Sequence, residues 1–230
     1  MANAARRNLG RLHIWLGWLI GIPLLIWTAT GLWMVARPIE EVRGVALKAE
    51  PPALALESTP AFPALPSDHG APLSLRLEQQ WDGPVWIATF AHGHEMRASA
   101  KDGQWLPAIT EAEARSSALR WYRPEATIVS ARHTPADKPP IDLRKERPAW
   151  GIVFSDGAHV YIDADTGSLL AIRSAQWRIF DFMWGLHIMD LETREDTHHP
   201  ILVGFSAITA FSIVIGLILL PLSRRRKRTK

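Results

Sequence analysis

Residues 177–222 read WRIFDFMWGLHIMDLETREDTHHPILVGFSAITAFSIVIGLILLPL, and this stretch decides how the whole chain can fold. Its second half, residues 201–222, contains no charged side chain and is followed by a basic tail at residues 223–230. An α-helix of this length rises about 33 Å, which is enough to cross the hydrocarbon core of a bilayer. We therefore expect a transmembrane helix here, with the basic tail in the cytoplasm.

A second apolar run lies near the amino terminus. Residues 12–35 contain no Asp, Glu, Lys or Arg and would rise about 36 Å as a helix. Three arginines precede the run, as in an export signal, but it is longer than the apolar core of a signal peptide and no Ala-x-Ala-like cleavage site follows. We expect an uncleaved transmembrane helix at residues 12–36 after a cytoplasmic segment at residues 1–11.

Charge is distributed unevenly along the chain. Residues 37–200 carry 17 Lys and Arg against 23 Asp and Glu, a net charge of −6, so the total of +3 comes from the two ends. Basic residues beside a span are retained in the cytoplasm, which predicts that both termini are cytoplasmic and the middle region lies across the membrane. The acidic middle region predicts no nucleic-acid partner. The basic tail is expected to contact anionic membrane lipid.

The region between the spans divides by composition. Residues 37–72 are rich in Pro and Ala, which favours an extended, semi-rigid tether. Residues 73–176 predict a folded α+β domain of antiparallel sheet with packed helices. Within it, residues 85–106 align without gaps to residues 149–170, and the identical pairs are Trp86/Trp150, Phe90/Phe154, Gly93/Gly157, Ala100/Ala164, Gly103/Gly167 and Leu106/Leu170. We expect an internal repeat of two antiparallel meanders with hairpin turns at Gly93 and Gly157.

Local signals place further elements in this domain. Thr110 and Glu113 form a capping box ahead of the helical pattern TEAEARSSALRWY. Residues 127–133 predict a strand, and residues 73–81 are the candidate for an equivalent helix in the first copy. The Asp-x-Asp pattern of residues 163–165 lacks the later glutamate of a calcium loop and predicts a turn instead.

Three stretches resemble a known family. They are RLHIWLGWLIGIPLLIWTATGLW at the first span, TEAEARSSALRWY followed by WGIVFSDGAHVYIDADTGSLLAIR, and WRIFDFMWGLHIMDL before the last span. They are similar to the PepSY-associated transmembrane proteins of bacterial inner membranes, which implies an inner-membrane location and a periplasmic PepSY domain. Members with four spans link such domains to b-haem in the membrane, some of them in siderophore iron reduction. Soluble PepSY modules have been proposed as regulators of peptidases.

The resemblance makes His13 and His187 candidate haem b ligands, because both lie in its Leu-His motifs. His13 and Gly17 are one helical turn apart, so an imidazole and a small residue share one face that a flat ligand could approach. The alternative for His13 is a histidine at headgroup level near the end of its span. Helical rise separates the two histidines by roughly 30 Å, so we expect that they do not bind the same iron.

Residues 177–200 predict an amphipathic segment that lies in the membrane interface. His198 and His199 in this segment are weak candidate metal ligands, and the alternative is an interfacial turn whose histidines face water. His92 and His94 flank the first hairpin turn, for which we expect a solvated turn rather than a metal site.

Two classes of function are consistent with these observations. The chain has no Cys, no Gly-x-Ser-x-Gly motif and no Gly-rich nucleotide fingerprint, so no complete catalytic constellation is evident and an enzymatic role is open only as a haem-dependent redox subunit. The first hypothesis is a membrane-tethered periplasmic binding or accessory module for a protein or peptide. The second is a b-haem electron-transfer subunit serving ferric-siderophore or other periplasmic reduction. Gly17 and Gly21 also predict self-association or helix packing.

Overall fold

A computed structural model of the protein describes residues 2–54, 58–66 and 69–224. The chain forms two compact units, one of Met1–Pro38 with Ile179–Lys230 and the other of Ile39–Arg178. Residues 225–230, which hold most of the basic tail, lie outside the described part. The predicted class is confirmed: two long apolar helices flank a region of antiparallel sheet and helix.

The first unit contains the two long helices. Helix α1 spans Ala2–Val35 and helix α5 spans Pro200–Arg224, and both are long and apolar enough to cross a membrane. Most of their large apolar side chains are exposed, as expected of helices that face lipid rather than a protein core. Ile20 on α1 and Ile215 on α5 are buried, and they mark the side on which the two helices pack together.

The second unit holds two four-stranded antiparallel sheets with the same strand order. The first sheet consists of β1 (Ser74–Gln80), β2 (Gly83–Thr89), β3 (Glu95–Ser99) and β4 (Trp105–Leu106). The second consists of β5 (Ile128–Thr134), β6 (Ala149–Phe154), β7 (His159–Asp163) and β8 (Leu169–Arg173). Helices α2 (Ile39–Val42) and α3 (Glu111–Trp121) belong to this unit, and α4 (Ala175–Ile188) begins in it. Both sheets are meanders, and the internal repeat itself stays a prediction from the identical residues.

Several local predictions are confirmed. The turn glycines Gly93 and Gly157 have φ angles of 76° and 80°, values that favour glycine. Thr110 caps α3: its hydroxyl accepts the Glu113 N–H, and the Glu113 carboxylate accepts the Thr110 N–H.

The predicted helix at residues 73–81 is wrong, because this segment is strand β1. The reason is visible in its alternation of leucines with polar residues, which puts Leu75 and Leu77 on the face that packs against Trp86.

The main core lies between α3 and the second sheet. Ala114 and Ala118 on α3 are fully buried against Ile152, Val160 and Ile162. The opposite face of the same sheet is covered by the loop before β6, which buries Leu143 against Tyr161, Ala149 and Ala171. Because both faces are covered, the side chains of this sheet are held in fixed positions.

The Pro-rich segment is mostly extended, as its composition predicts, and it is also bonded to the first sheet. The Trp86 indole N–H donates to the Ala61 carbonyl at 2.9 Å, and the Trp105 indole N–H donates to the Ala64 carbonyl at 2.8 Å. Phe62 stacks on Trp86 with ring centroids 4.7 Å apart. This part of the segment is therefore packed against the sheet.

Candidate functional site

His187 on α4 lies against α1 within the first unit. Its imidazole stacks on the Trp27 ring, with centroids 4.7 Å apart and planes 17° from parallel. The ring also covers Gly31, where a Cβ atom would lie only 3.0 Å from the His187 Cε1 atom. A glycine at this position thus makes room for the imidazole.

The hydrogen bonds of His187 define its neutral tautomer. The Nδ1 atom lies 3.0 Å from the Trp27 carbonyl oxygen and 3.2 Å from the Thr30 Oγ1 atom. A carbonyl oxygen only accepts, so Nδ1 carries the proton and the lone pair of the neutral ring is on Nε2. No described residue donates a hydrogen bond to Nε2. A fixed imidazole with a free Nε2 lone pair is the form that binds a metal or haem iron.

His13, near the start of α1, has a similar environment against α5. Its Nδ1 atom lies 3.2 Å from the Ser212 Oγ atom of α5, and its ring covers Gly216, where a Cβ atom would lie 3.1 Å from Cε1. Gly17 and Gly21 face no neighbouring atom: a Cβ atom at either position would have nothing within 4 Å. The imidazole of His13 therefore packs toward α5, whereas the predicted small-residue face at Gly17 is open.

The two histidines belong to separate places along α1. His187 contacts residues 27–31 of this helix, which lie 14 to 18 residues after His13. Helical rise over that interval is about 21–27 Å. One iron atom therefore cannot bind both side chains of the same chain.

The loop that follows α4 is organised by Asp190. Its carboxylate accepts backbone N–H groups from four residues and the Thr193 hydroxyl, and these hydrogen bonds hold its pKa well below the usual value. Arg194 donates to the buried carboxylate of Asp181 at 2.8 Å. Gly185 is required beneath this loop, because a Cβ atom there would lie 2.9 Å from the Asp190 carbonyl oxygen.

The structure does not bring His198 and His199 together with His187 in a metal-type cluster. No group of three or more His, Cys, Asp or Glu side chains able to hold a metal occurs within the described ranges. His198 is exposed, and its backbone N–H donates to Asp196. His199 is half-buried, and its Nδ1 atom has no partner among the residues described.

A second polar cluster lies in the extramembrane unit and was not predicted from the sequence. Asp142, in the loop before β6, is 2.8 Å from His159 Nδ1 and accepts the Tyr161 hydroxyl at 2.7 Å. Burial would raise the pKa of Asp142, but the hydrogen bonds from His159 and Tyr161 hold it below its usual value. The Arg173 side chain donates to the Asp142 carbonyl. In the described part of the chain no hydroxyl bonds to His159, so this is a dyad without a nucleophile.

Arg147 connects the two sheets. Its guanidinium forms two hydrogen bonds to the buried Asp163 carboxylate, at 2.7 and 3.0 Å, and a third to the Gly93 carbonyl at 2.8 Å. Asp163 also accepts the N–H groups of Asp165 and Thr166, which confirms the predicted turn. Arg147 is 16 residues from Asp163 and 54 residues from Gly93 in the chain, so no local sequence pattern predicts these contacts.

A family model described as the PepSY-associated TM region matches residues 11–230, which covers most of α1, all of α5 and everything between them. No curated protein and no solved structure matches the chain.

Proposed function

Because the chain belongs to the family of PepSY-associated transmembrane proteins, we propose that it is a two-pass inner-membrane protein whose periplasmic domain binds a protein or peptide. The family and the two apolar helices make the chain a membrane protein with a PepSY-type domain. The basic residues that flank the two apolar runs, before residue 12 and after residue 222, support cytoplasmic termini and hence a periplasmic domain.

The binding role rests on one observation, a groove of about 670 Å³ between the two sheets. Residues of the edge strands β1 and β8 line it, together with the side chains of Lys48 and Lys145. An edge strand has unpaired backbone groups to which an extended peptide can add as a further strand. The Lys48 ammonium lies 5.4 Å from the centre of the Trp121 ring in this groove, and together with Lys145 it suits a peptide with acidic and apolar side chains.

The orientation can be tested directly because the chain contains no native cysteine. Single variants Lys101→Cys, in the extramembrane domain, and Asn8→Cys, before the first span, would be treated with a membrane-impermeant maleimide on intact spheroplasts. We expect labelling of the first and protection of the second until the cells are lysed. The opposite pattern would overturn the proposed topology.

Peptide binding can be tested with a displayed random-peptide library selected against the full chain in nanodiscs. Selected peptides should bind the wild type, and Lys145→Glu in the groove should lower their affinity at least tenfold. Lys101→Glu is the matched control, since it makes the same charge change outside the groove. Equal affinity for wild type and Lys145→Glu would exclude the groove as the binding surface.

A second candidate function, b-haem electron transfer, is favoured by the tautomer of His187. The hydrogen bond from Nδ1 to the Trp27 carbonyl leaves Nε2 as a fixed electron-pair donor, which suits an axial ligand. His13 is the second candidate ligand, with its Nδ1 atom 3.2 Å from the Ser212 hydroxyl and with Gly17 open on the same helix. Haem b, if bound, would supply one-electron transfer, and His13 and His187 would hold separate haems.

The haem candidate is tested by a visible absorption spectrum of the purified full chain after expression with ample haem. A Soret band that is reduced in His13→Ala or His187→Ala, but not in the exposed control His133→Ala, would support it. Absence of the band in the wild type, or a band unchanged in both variants, would reject these ligands.

A further inference from the structure

Helix α1 packs against two different helices along its length. Near its start, His13 lies against Ser212 of α5, with the Nδ1 and Oγ atoms 3.2 Å apart. At its end, Trp33 lies against Phe180 of α4, with ring centroids 6.2 Å apart. Helix α5 is thus the neighbour of the first part of α1, and α4 is the neighbour of the last part.

Helix α4 runs antiparallel to α1 and ends beside Trp27. Its last turn carries His187, which donates to the Trp27 carbonyl at 3.0 Å. The loop of residues 189–199 follows directly. The Asp190 carboxylate accepts the backbone N–H of Asp196 at 3.2 Å, so this loop is compact and stays near Trp27.

Helix α5 begins at the same level of α1. Pro200, its first residue, comes 12 residues before Ser212, which corresponds to a rise of about 18 Å. Ser212 lies beside His13, and Trp27 comes 14 residues after His13, a rise of about 21 Å. Because the two rises agree, the start of α5 lies beside Trp27, as the compact loop requires.

The loop between α4 and α5 carries charges that do not fit the hydrocarbon core of a bilayer. Glu192, Glu195 and Asp196 are exposed carboxylates. Their side chains are too short to reach from the hydrocarbon to the membrane surface, as the long stem of a lysine or arginine can. Arg194 is bonded to the buried Asp181 of α4 at 2.8 Å. The loop therefore belongs in the headgroup layer or in water.

Beyond Trp27, α1 continues for about two turns beside α4. Four large apolar side chains are exposed in this part, namely Leu32 and Val35 on α1 and Ile179 and Phe182 on α4. They are the reason why the sequence predicts one span over residues 12–36. Apolar and aromatic side chains are also accommodated in the headgroup layer, whereas exposed carboxylates are not accommodated in hydrocarbon. The charged loop therefore fixes the level of the membrane surface.

The part of α1 before Trp27 is long enough to span the bilayer. Residues 12–27 contain no Asp, Glu, Lys or Arg and rise about 24 Å. Arg11 precedes them, and its long stem lets the charge extend several Å further toward the surface at that end. Residues 201–222 of α5 rise about 33 Å from the same level. A hydrocarbon core of about 30 Å is thus filled without the last two turns of α1.

We propose that phospholipid headgroups contact this protein at the loop of residues 189–199, and that the embedded part of α1 ends near Trp27. Residues 28–35 of α1 then stand with α4 outside the hydrocarbon core. The imidazole of His187, stacked on Trp27, lies at headgroup level, where groups dissolved in water can reach it. This membrane boundary is independent of the orientation of the chain and of haem.

The test uses single-cysteine variants of the full chain in nanodiscs, where both membrane surfaces are open to a membrane-impermeant maleimide. The chain has no native cysteine. Leu32→Cys and its matched control Ile22→Cys replace side chains of the same helix that are 72% and 69% exposed. Thr197→Cys in the loop sets the rate of an aqueous site. We expect Leu32→Cys to react within about tenfold of Thr197→Cys, and Ile22→Cys to react at least about a hundredfold more slowly.

A second measurement covers the case in which the bulky reagent is blocked by protein. A nitroxide attached at Leu32→Cys should be relaxed more strongly by a water-soluble nickel complex than by oxygen, and a nitroxide at Ile22→Cys should show the reverse. If the Leu32→Cys label behaves as the Ile22→Cys label does in both measurements, residues 12–36 form one embedded span and the proposal is overturned. Fast reaction of Ile22→Cys would overturn it as well, because this part of α1 would then lie outside the bilayer.

Discussion

The Nδ1 atom of His187 lies 3.0 Å from the backbone carbonyl oxygen of Trp27, and the two side-chain rings stack on each other. This relationship joins α4 to the first long helix, and it leaves Nε2 as the unprotonated ring nitrogen. The same contact can hold two helices together and present a ligand. The role of this contact in holding the two helices together can be tested without any assumption about haem.

Gly31→Ala should destabilise this helix contact. The added methyl group would lie 3.0 Å from the His187 ring, and forcing extra atoms into a packed contact costs about 1–3 kcal/mol. Gly17→Ala is the control at an open position of the same helix, where replacing a helical glycine should be neutral or stabilising by up to ~1 kcal/mol. Unfolding of each variant in mixed detergent micelles measures the difference. Equal effects at both positions would contradict the packing described for His187.

Arg147→Ala should strongly destabilise the extramembrane unit. The change leaves the Asp163 carboxylate, which is 1% exposed, without its cationic partner, and breaking a buried pair costs about 3–5 kcal/mol. Arg115→Ala removes only an exposed pair to Glu111 one turn away, worth about 0.3–0.5 kcal/mol. Urea unfolding of the full chain in nanodiscs, followed by near-ultraviolet circular dichroism, would compare the two. A loss for Arg147→Ala no larger than that for Arg115→Ala would refute a role for this arginine in joining the sheets.

Asp142 should make the stability of the same unit depend on acid pH. Its pKa is lower in the folded protein than the ordinary value of 3.8. A depressed pKa stabilises the fold above the unfolded value, and this contribution is lost as the pH falls below about 3.8 through the folded value. The midpoint of urea unfolding should therefore decline over this range.

Asp142→Asn should remove that pH dependence and destabilise the unit by about 1–3 kcal/mol at neutral pH, because a donating NH2 group replaces one of the two oxygens that accept from His159 and Tyr161. Asp137→Asn, an exposed change in the same loop, should keep the wild-type profile. A profile that Asp142→Asn leaves unaltered would show that other carboxylates cause the acid effect.

Thr110→Ala should cost about 1 kcal/mol through loss of the α3 cap. Thr110→Ser keeps the hydroxyl and should recover most of that stability. Thermal unfolding of both variants provides the measurement, and similar losses for Ala and Ser would indicate that the methyl group of Thr110 matters more than its hydrogen bond.

Much of the fold could be predicted because its signals are local. The two apolar runs, the capping box of Thr110 and Glu113 and the turn glycines each depend on residues close together in the chain, and the structure has all of them. The strand at residues 74–80 was missed because a short segment with two leucines can be read as helix or strand until its partner strand is known. Antiparallel pairing with β2 identifies the segment as a strand, in which the leucines alternate with polar residues.

The candidate sites depend on long-range contacts, and these could not be predicted in the same way. The sequence identified His13 and His187, but not that Ser212 and Trp27 hold their Nδ1 atoms. The Asp142–His159 dyad had no signal at all, because Asp142 lies in the loop before β6 and His159 lies on β7.

The sequence by itself determined the two apolar helices, the acidic region between them, the absence of thiol chemistry and the family, because length, composition and local motifs are properties of contiguous residues. Only the tertiary structure decided which nitrogen of the His187 imidazole carries the proton and which carboxylates are buried. Each of these depends on atoms brought together by packing across tens of residues, where the free energy is set by burial and geometry rather than by neighbours in the chain.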